Sequence, residues 1–301
     1  MQETVLITGG SGLVGSRLTQ ILLEKGYLVK HISRKCSSSE NITCFNWDLN
    51  KGSWDNEAIL NVDYIVHLAG ANVAESRWSK KRKQHILESR VQSSQIVCKM
   101  VEASKGKIKG VVSSSAVGYY GLMAGTAVVN ENAIPGDDFL ANVCQQWESS
   151  ISKCDSSVAI IRTGVVLSKH GGALQKMMAP IKRGVGAALG SGKQLMPWIH
   201  IDDLCELFIY ALEHKWDGAY NGCSPDVISN FEFTNQLAKA INKPLFLPNV
   251  PSFILKIMLG EMAQMLLTGV NPSTDKVKRA GFEWKYSKLE YALKHILDPK
   301  Y

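Results

Sequence analysis

Residues 4–15 read TVLITGGSGLVG, and this stretch decides the fold. Val5, Leu6 and Ile7 make a short apolar run of the kind that a strand buried on both faces needs. Gly9, Gly12 and Gly15 follow at the spacing G-x-x-G-x-x-G, and RLTQILLEKG (17–26) continues with a helical pattern. A glycine turn between a strand and a helix lets the backbone approach a pyrophosphate, and the helix amino terminus stabilises its negative charge. The third glycine permits close packing of helix on strand. Gly9, Ser11, Gly12, Leu13 and Val14 are therefore the expected phosphate-binding residues of a nucleotide site.

Outward from that turn, the runs Thr4–Thr8, Leu28–Ser33, Tyr64–Leu68, Gly110–Ser114 and Val158–Arg162 alternate with longer amphipathic stretches. The alternation predicts an α/β fold, a Rossmann-type doubly wound parallel sheet with helices on both faces. Beyond residue 166 glycine-rich turns (170–172, 184–192) and repeated prolines separate shorter elements, ending in helical patterns at 252–268, 274–280 and 288–297. The expected organisation is a nucleotide-binding domain over 1–166. Residues 167–301 would return at least one strand to the sheet and end as a small C-terminal substrate or partner lobe, helical over about 250–298.

The next strand, LVKHIS, ends at Ser33 and is followed by Arg34 and Lys35. A fold that prefers NAD normally offers a carboxylate here to the adenosine ribose; a hydroxyl and two cations suit a 2′-phosphate, so NADP(H) is the expected cofactor. With 45% hydrophobic and 20% charged residues the chain is of ordinary globular composition. The net charge of +7 has its only dense cluster at Lys80–Lys83. That cluster is expected to be a solvated helix start, since no recognised nucleic-acid module or stacking aromatics accompany it. Seven cysteines, odd in number and without a C-x-x-C pair, point to a reduced, cytoplasmic setting, and no zinc-type spacing points to a metal. MQETVLITGG runs straight into a strand, so no signal peptide is expected. The longest apolar stretch, 253–267, is interrupted by Lys256, Glu261 and Gln264 and is not expected to span a bilayer.

Thr8-Gly9-x-x-Gly12-x-x-Gly15, then Asp48-Leu49, then His67-Leu68-Ala69-Gly70 together resemble the extended short-chain dehydrogenase/reductases, the superfamily of sugar-nucleotide epimerases and dehydratases. SSSAVGYYG (113–121), GDDFLANVCQQWE (136–148), RTGVVLSKHGGAL (162–174), WIHIDDL (198–204) and VPSFILKIMLGEMAQMLLTG (250–269) are similar to an atypical branch of it, the epimerase family proteins. The resemblance implies NADP in a cleft between a Rossmann-type domain and a small C-terminal domain. It implies that Asp48 and Leu49 border the adenine, and that Leu68, Ala69, Gly70 and Ala71 border the ribose and pyrophosphate. It further places Ser113 and Ser114, with Ser115, on the nicotinamide side, and Thr163, Gly164 and Val165 along the nicotinamide ribose.

In the catalytic relatives a Ser or Thr precedes, by some 25 residues, a Tyr-x-x-x-Lys on the following helix. The tyrosine moves the proton that must accompany hydride transfer at a carbonyl, and the lysine lowers its pKa and holds the nicotinamide ribose. Counted from Ser115, the two positions fall at Leu140 and Cys144. Leucine cannot move a proton, and cysteine is neither the cation nor the long donor required. Three accounts are open: Tyr119, beside Tyr120 in the turn after Ser115, supplies the proton; Cys144 itself acts; or the protein binds NADP without redox chemistry.

Arg77-Trp78 follow a strand on the sheet edge where such folds bind ligands, and are the substrate candidates. Arg162 either faces the cleft or pairs with a carboxylate. His67 and His200 are expected to be hydrogen-bonded structural residues, Asp202 or Asp203 to cap the helix after His200, and Asp137-Asp138 to cap the helix at Phe139. Met258, Met262 and Met265 form one helical stripe, for core packing, a pocket wall or a dimer surface. Two functional readings follow. One is an NADP-dependent oxidoreductase or epimerase-like enzyme in which Ser115 and Tyr119 orient and protonate a carbonyl or sugar-derived small molecule. The other is a non-catalytic NADP-binding sensor or scaffold acting through a protein partner, with a homodimer compatible with both.

Overall fold

The computed structural model describes residues 2–38, 41–121, 127–298 and 300. The strands, in chain order, are β1 (Thr4–Thr8), β2 (Leu28–Ser33), β3 (Ile42–Asp48), β4 (Ser53–Trp54), β5 (Tyr64–His67), β6 (Gly110–Ala116) and β7 (Val128–Val129). There follow β8 (Val158–Thr163), β9 (Val165–Leu167), β10 (Leu195–Met196), β11 (Trp198–His200), β12 (Gly218–Gly222), β13 (Ile228–Ser229) and β14 (Asn271–Pro272). The helices are α1 (Leu13–Glu24), α2 (Lys80–Ala103), α3 (Phe139–Ile151), α4 (Gly172–Lys182) and α5 (Ile201–Glu213). Beyond them come α6 (Asn230–Ala240), α7 (Ser252–Leu259), α8 (Gln264–Leu267), α9 (Asp275–Arg279) and α10 (Leu289–Leu297).

The main sheet has eight strands in the order β12-β8-β6-β5-β1-β2-β3-β4, parallel throughout except for the antiparallel β4. All five residues of β1 are buried, as a central parallel strand requires. Strand order reverses at β1, with β2 on one side and β5 on the other, so the crevice beyond their carboxyl ends is the topological switch point where doubly wound sheets bind ligands.

Alternate residues of β1 feed two cores. Val5 and Ile7 pack with Leu18 and Leu22 of α1 and with Leu204 and Phe208 of α5, while Leu6 packs with Ile96, Val97 and Met100 of α2. A third core, built from Leu174, Trp198, Phe233, Leu237 and Leu293, holds α4, α6 and α10 together. The sheet strand returned from beyond residue 166 is β12, laid parallel to β8.

Asp138 accepts from the amides of Leu140 and Ala141 and caps α3 as expected. Lys80–Lys83 do open a helix, behind Ser79 as its cap. The cap of α5 differs from expectation. His200 holds that place, its Nδ1 accepting from the Asp202 amide, because Asp202 is drawn to Arg17 at 2.7 Å. Asp203 instead accepts from the amides of Lys285 and Tyr286, both at 2.9 Å.

The reduced state expected of the cysteines also needs correction. Cys36 pairs with Cys44, and Cys98 with Cys154, in disulfides, while Cys144, Cys205 and Cys223 are free and buried. Spacing could not show the second pair, whose members are 56 residues apart and meet only because α2 packs beside α3. Of the methionine stripe, Met262 is buried, whereas Met258 is 60% exposed and lies with Phe253 and Ile257 on an outward apolar face. Among the described residues no helix is long and apolar enough to cross a membrane.

Candidate functional site

At the end of β1 the chain turns through Gly9, whose φ of +73° suits glycine. A Cβ on Gly9 would stand 3.1 Å from the Leu68 carbonyl and the Ala69 amide, and one on Gly15 only 2.4 Å from the Gly9 oxygen. The turn is thus a close three-way contact between strand, helix and the Leu68–Ala71 segment. Helix α1 starts at Gly12 with no side-chain cap and no acidic residue in its first turn, which leaves its amino terminus suited to an anion.

Thr8 ties the segments together. Its Oγ1 accepts from the Leu68 and Ala69 amides, both at 3.1 Å, so its own hydrogen points to His67 Nδ1 at 2.8 Å. That bond leaves the imidazole hydrogen on Nε2, facing Ser94 at 3.2 Å. Burial, with the Arg90 charge adding to it, pushes the His67 pKa down to about 3. His67 is therefore a neutral structural residue, as expected.

Opposite the α1 terminus lies a segment the sequence reading passed over as a turn. Ser168, His170, Gly171 and Gly172 face Ser11, Gly12 and Leu13 across a cleft of about 410 Å³. On the other side, the exposed Arg34 follows Ser33, whose hydroxyl donates to the Lys35 carbonyl at 2.7 Å. Asp48 accepts from the amides of Asn50 and Lys51 at the end of β3, and Leu49 packs on the α2 side of the sheet. The Cys36–Cys44 disulfide fastens the Ser33–Cys36 turn to β3.

At the carboxyl ends of β6 and β8 the geometry is that of a buried ionic network. Ser115 stands beside Arg162 in register, and Ala116 beside Thr163. Arg162 grips Glu148 of α3 with two bonds, Nε to Oε1 at 3.0 Å and Nη2 to Oε2 at 2.8 Å. The Ser115 hydroxyl donates to the same Oε1 at 2.6 Å. The third guanidinium nitrogen donates to the Tyr120 hydroxyl at 3.1 Å and to the Glu131 carbonyl at 2.9 Å, and Tyr120 donates on to Asn221 at 2.6 Å. Burial works against the charge on Arg162, but the Glu148 carboxylate more than offsets it and holds the guanidinium above its usual range. Burial pushes the Tyr120 pKa up to about 12, so its hydroxyl stays protonated as a structural donor. Arg162 therefore pairs with a carboxylate, the choice that the chain order left open.

Tyr119 lies differently. Its half-buried ring is stacked on Arg162, with the guanidinium carbon 3.4 Å from the ring centre, and its hydroxyl has no protein partner among the described residues. Leu140 and Cys144 sit under the 3-10 turn 117–120: a Cβ on Gly118 would meet Leu140 Cβ at 3.5 Å and the Cys144 sulfur at 3.9 Å. Burial and then Glu148 push the Cys144 thiol up to about 12, which makes it an inert packing group rather than a nucleophile. Ser113 and Ser114 spend their hydroxyls on neighbouring carbonyls, and Gly164 and Val165 bond to the Gly222 and Pro197 carbonyls at 3.1 and 2.8 Å.

Arg77 is exposed and Trp78 half-buried, both just ahead of α2. Arg77 donates to the last carbonyls of α7, Ile257 at 2.7 Å and Met258 at 2.8 Å. Trp78 donates to the Val73 carbonyl at 2.9 Å and stands edge-on to Phe139, centroids 5.0 Å apart. The functional residues that the sequence left unmarked are Glu148, Asn221 and the 168–172 wall. An acid on α3 and an arginine near the end of β8 were visible signals, but not their burial or their pairing.

Residues 5–222 match the family described as NAD-dependent epimerase/dehydratase, and residues 250–296 match a domain of unknown function, DUF1731. The chain is 36% identical to the chloroplastic epimerase family protein SDR39U1 homolog of Arabidopsis thaliana, over 98% of this chain and 87% of that one. It is 32% identical to the epimerase family protein YfhF of Bacillus subtilis, over 97% of each. Among solved structures, the human epimerase family protein SDR39U1 (isoform 2) with NADPH superposes with a TM-score of 0.87 at 31% identity, covering 97% of this chain and 98% of that one. The nucleoside-diphosphate sugar epimerase of Corynebacterium glutamicum superposes at 0.78 with 29% identity, covering 99% of this chain and 58% of that one.

Proposed function

The chain belongs to the NAD-dependent epimerase/dehydratase family, and from that premise we propose that it binds NADP(H) as an oxidoreductase or epimerase-like enzyme lacking the usual Tyr-x-x-x-Lys pair. The observation that carries the reading is the cradle at Gly9–Gly15, with an uncapped helix terminus and interatomic gaps that a single Cβ would close. Arg34, exposed beside Ser33 with no carboxylate at the strand end, is the group for the adenosine 2′-phosphate. The NADPH-bound human relative agrees with this preference.

When bound, the cofactor supplies hydride chemistry. The chain's own part is positioning and proton movement. Ser115 turns its hydrogen toward Glu148, so its oxygen is left to accept from a substrate hydroxyl, and Tyr119 offers a hydroxyl with no protein partner among the described residues. Arg77 and Trp78 form the substrate-side rim in this reading, Arg77 by holding the end of α7. The substrate class is a carbonyl or sugar-derived small molecule, and the compartment is the cytoplasm, where the two disulfides would be uncommon.

Calorimetric titration with NADPH and NADH tests the cofactor. Arg34→Ala should weaken NADPH by about 10-fold or more and leave NADH almost unchanged; an unaltered preference would remove Arg34 from the site. A second reading, an NADP-binding sensor or scaffold, is favoured by Leu140 and the inert Cys144 filling the place of the catalytic pair. Tyr119→Phe separates the two: turnover lost with NADPH binding kept supports the enzyme, while no NADPH oxidation by the unaltered protein across a broad carbonyl panel supports the sensor.

A further inference from the structure

With Cys144 at the lysine position, a cation for the nicotinamide ribose has to come from another element. Helix α2, packed along α3, carries one. The guanidinium carbon of Arg90 stands 4.9 Å from the ring centre of Trp147, less than one helical turn beyond Cys144. The same group presses on the Leu68–Ala71 turn: a Cβ on Gly70 would come within 3.1 Å of Arg90 Cζ, and Nη1 donates to the Ala71 carbonyl at 3.0 Å and to that of Ile86 at 3.0 Å. Arg90 is therefore wedged between the segment that closes the glycine cradle and the helix face that bears Cys144. Its Nε and Nη2 donors find no protein acceptor among the described residues. Its charge is felt on both sides, raising the cost of protonating His67 and favouring the thiolate of Cys144 against burial.

We propose that Arg90 takes over the cofactor-holding half of the missing lysine's work, its unpartnered Nε–H and Nη2–H groups donating to the hydroxyls of the ribose that bears the nicotinamide. The inference rests on the NADP(H) reading above. Arginine suits the task from a neighbouring helix because its guanidinium is always charged, presents several donors in a fixed plane and is held by stacking on Trp147. Gly70 is what lets that plane lie against the backbone. The lysine's other task, tuning a tyrosine one turn earlier on the same helix, has no counterpart, in keeping with Leu140.

The test titrates the full chain with NADPH and, separately, with adenosine 2′,5′-bisphosphate, which lacks the nicotinamide ribose. Arg90→Met should weaken NADPH about 10- to 100-fold and change the bisphosphate by less than about 3-fold. Arg90→Lys should keep most of the NADPH affinity, and Cys144→Lys added to Arg90→Met should restore part of it. Unchanged NADPH binding in Arg90→Met would overturn the proposal. An equal loss of both ligands would also overturn it, since Arg90 would then be a strut for the Leu68–Ala71 turn. If Arg90→Met does not fold, Arg90→Gln, which can still donate to the Ala71 carbonyl, carries the same comparison. Failure of the unaltered protein to bind NADPH would refute the cofactor reading itself, which separates that outcome from the failure of Arg90 alone.

Discussion

Replacing Arg162 by methionine should be among the costliest single changes outside the apolar core. Arg162 is 3% exposed and Glu148 8%, and the two are joined by bonds of 2.8 and 3.0 Å. Methionine fills similar volume but strands the Glu148 carboxylate with Ser115 as its one remaining side-chain donor among the described residues, and leaves Tyr120 and the Glu131 carbonyl without their shared partner. Removing one member of a buried pair in this way costs about 3–5 kcal/mol. Unfolding a chain of 301 residues carries an entropy of roughly 0.6 kcal/mol/K at the midpoint, so the loss should appear as a drop in Tm of about 5–8 °C. The assay is differential scanning calorimetry on Arg162→Met, Glu148→Leu and the double variant. Because the main penalty is an uncompensated charge, the double variant should be more stable than Arg162→Met. A drop below about 2 °C in Arg162→Met, or strictly additive losses in the double variant, would refute the view that the pair acts as one unit.

Gly15→Ala should abolish NADPH binding and lower Tm, since its Cβ would meet the Gly9 oxygen at 2.4 Å; retained binding would show that the cradle has slack the structure does not show. His67 is held near pKa 3 in the fold against 6.5 in the open chain, so the stability tied to its neutral form is complete above pH 6.5 and is lost as the pH falls toward 3. Between pH 6 and 4 the stability of the unaltered protein should accordingly fall more steeply than that of His67→Gln, by about 1.4 kcal/mol per pH unit, as read by urea titration at each pH; parallel slopes would mean that His67 titrates in the fold. Protein purified without reductant and then denatured should titrate three thiols, and seven after reduction. Reduction should lower Tm, because the Cys98–Cys154 loop of 56 residues contributes about 4 kcal/mol on the chain-entropy estimate; seven thiols without reduction would show the pairs open.

What the sequence determined by itself is local. The strand, glycine turn and helix of residues 4–24 declare themselves because their signals lie within a few residues of one another, and the alternation of apolar runs announced the parallel sheet. Leu140 and Cys144 were equally legible at the places where the resemblance puts a Tyr-x-x-x-Lys pair, and the loss of that pair belongs to the proposed function. Only the tertiary structure decided the contacts that span the chain. Arg162 finds Glu148 across 14 residues, Tyr120 finds Asn221 across 101, and Arg77 finds the end of α7 across 180. Each partner taken alone is an ordinary polar residue, and no periodicity marks which of several acids or carbonyls it will meet. That choice is made where the sheet brings β6 and β8 side by side and lays α3 over them, and there burial makes an unpartnered charge too costly to leave.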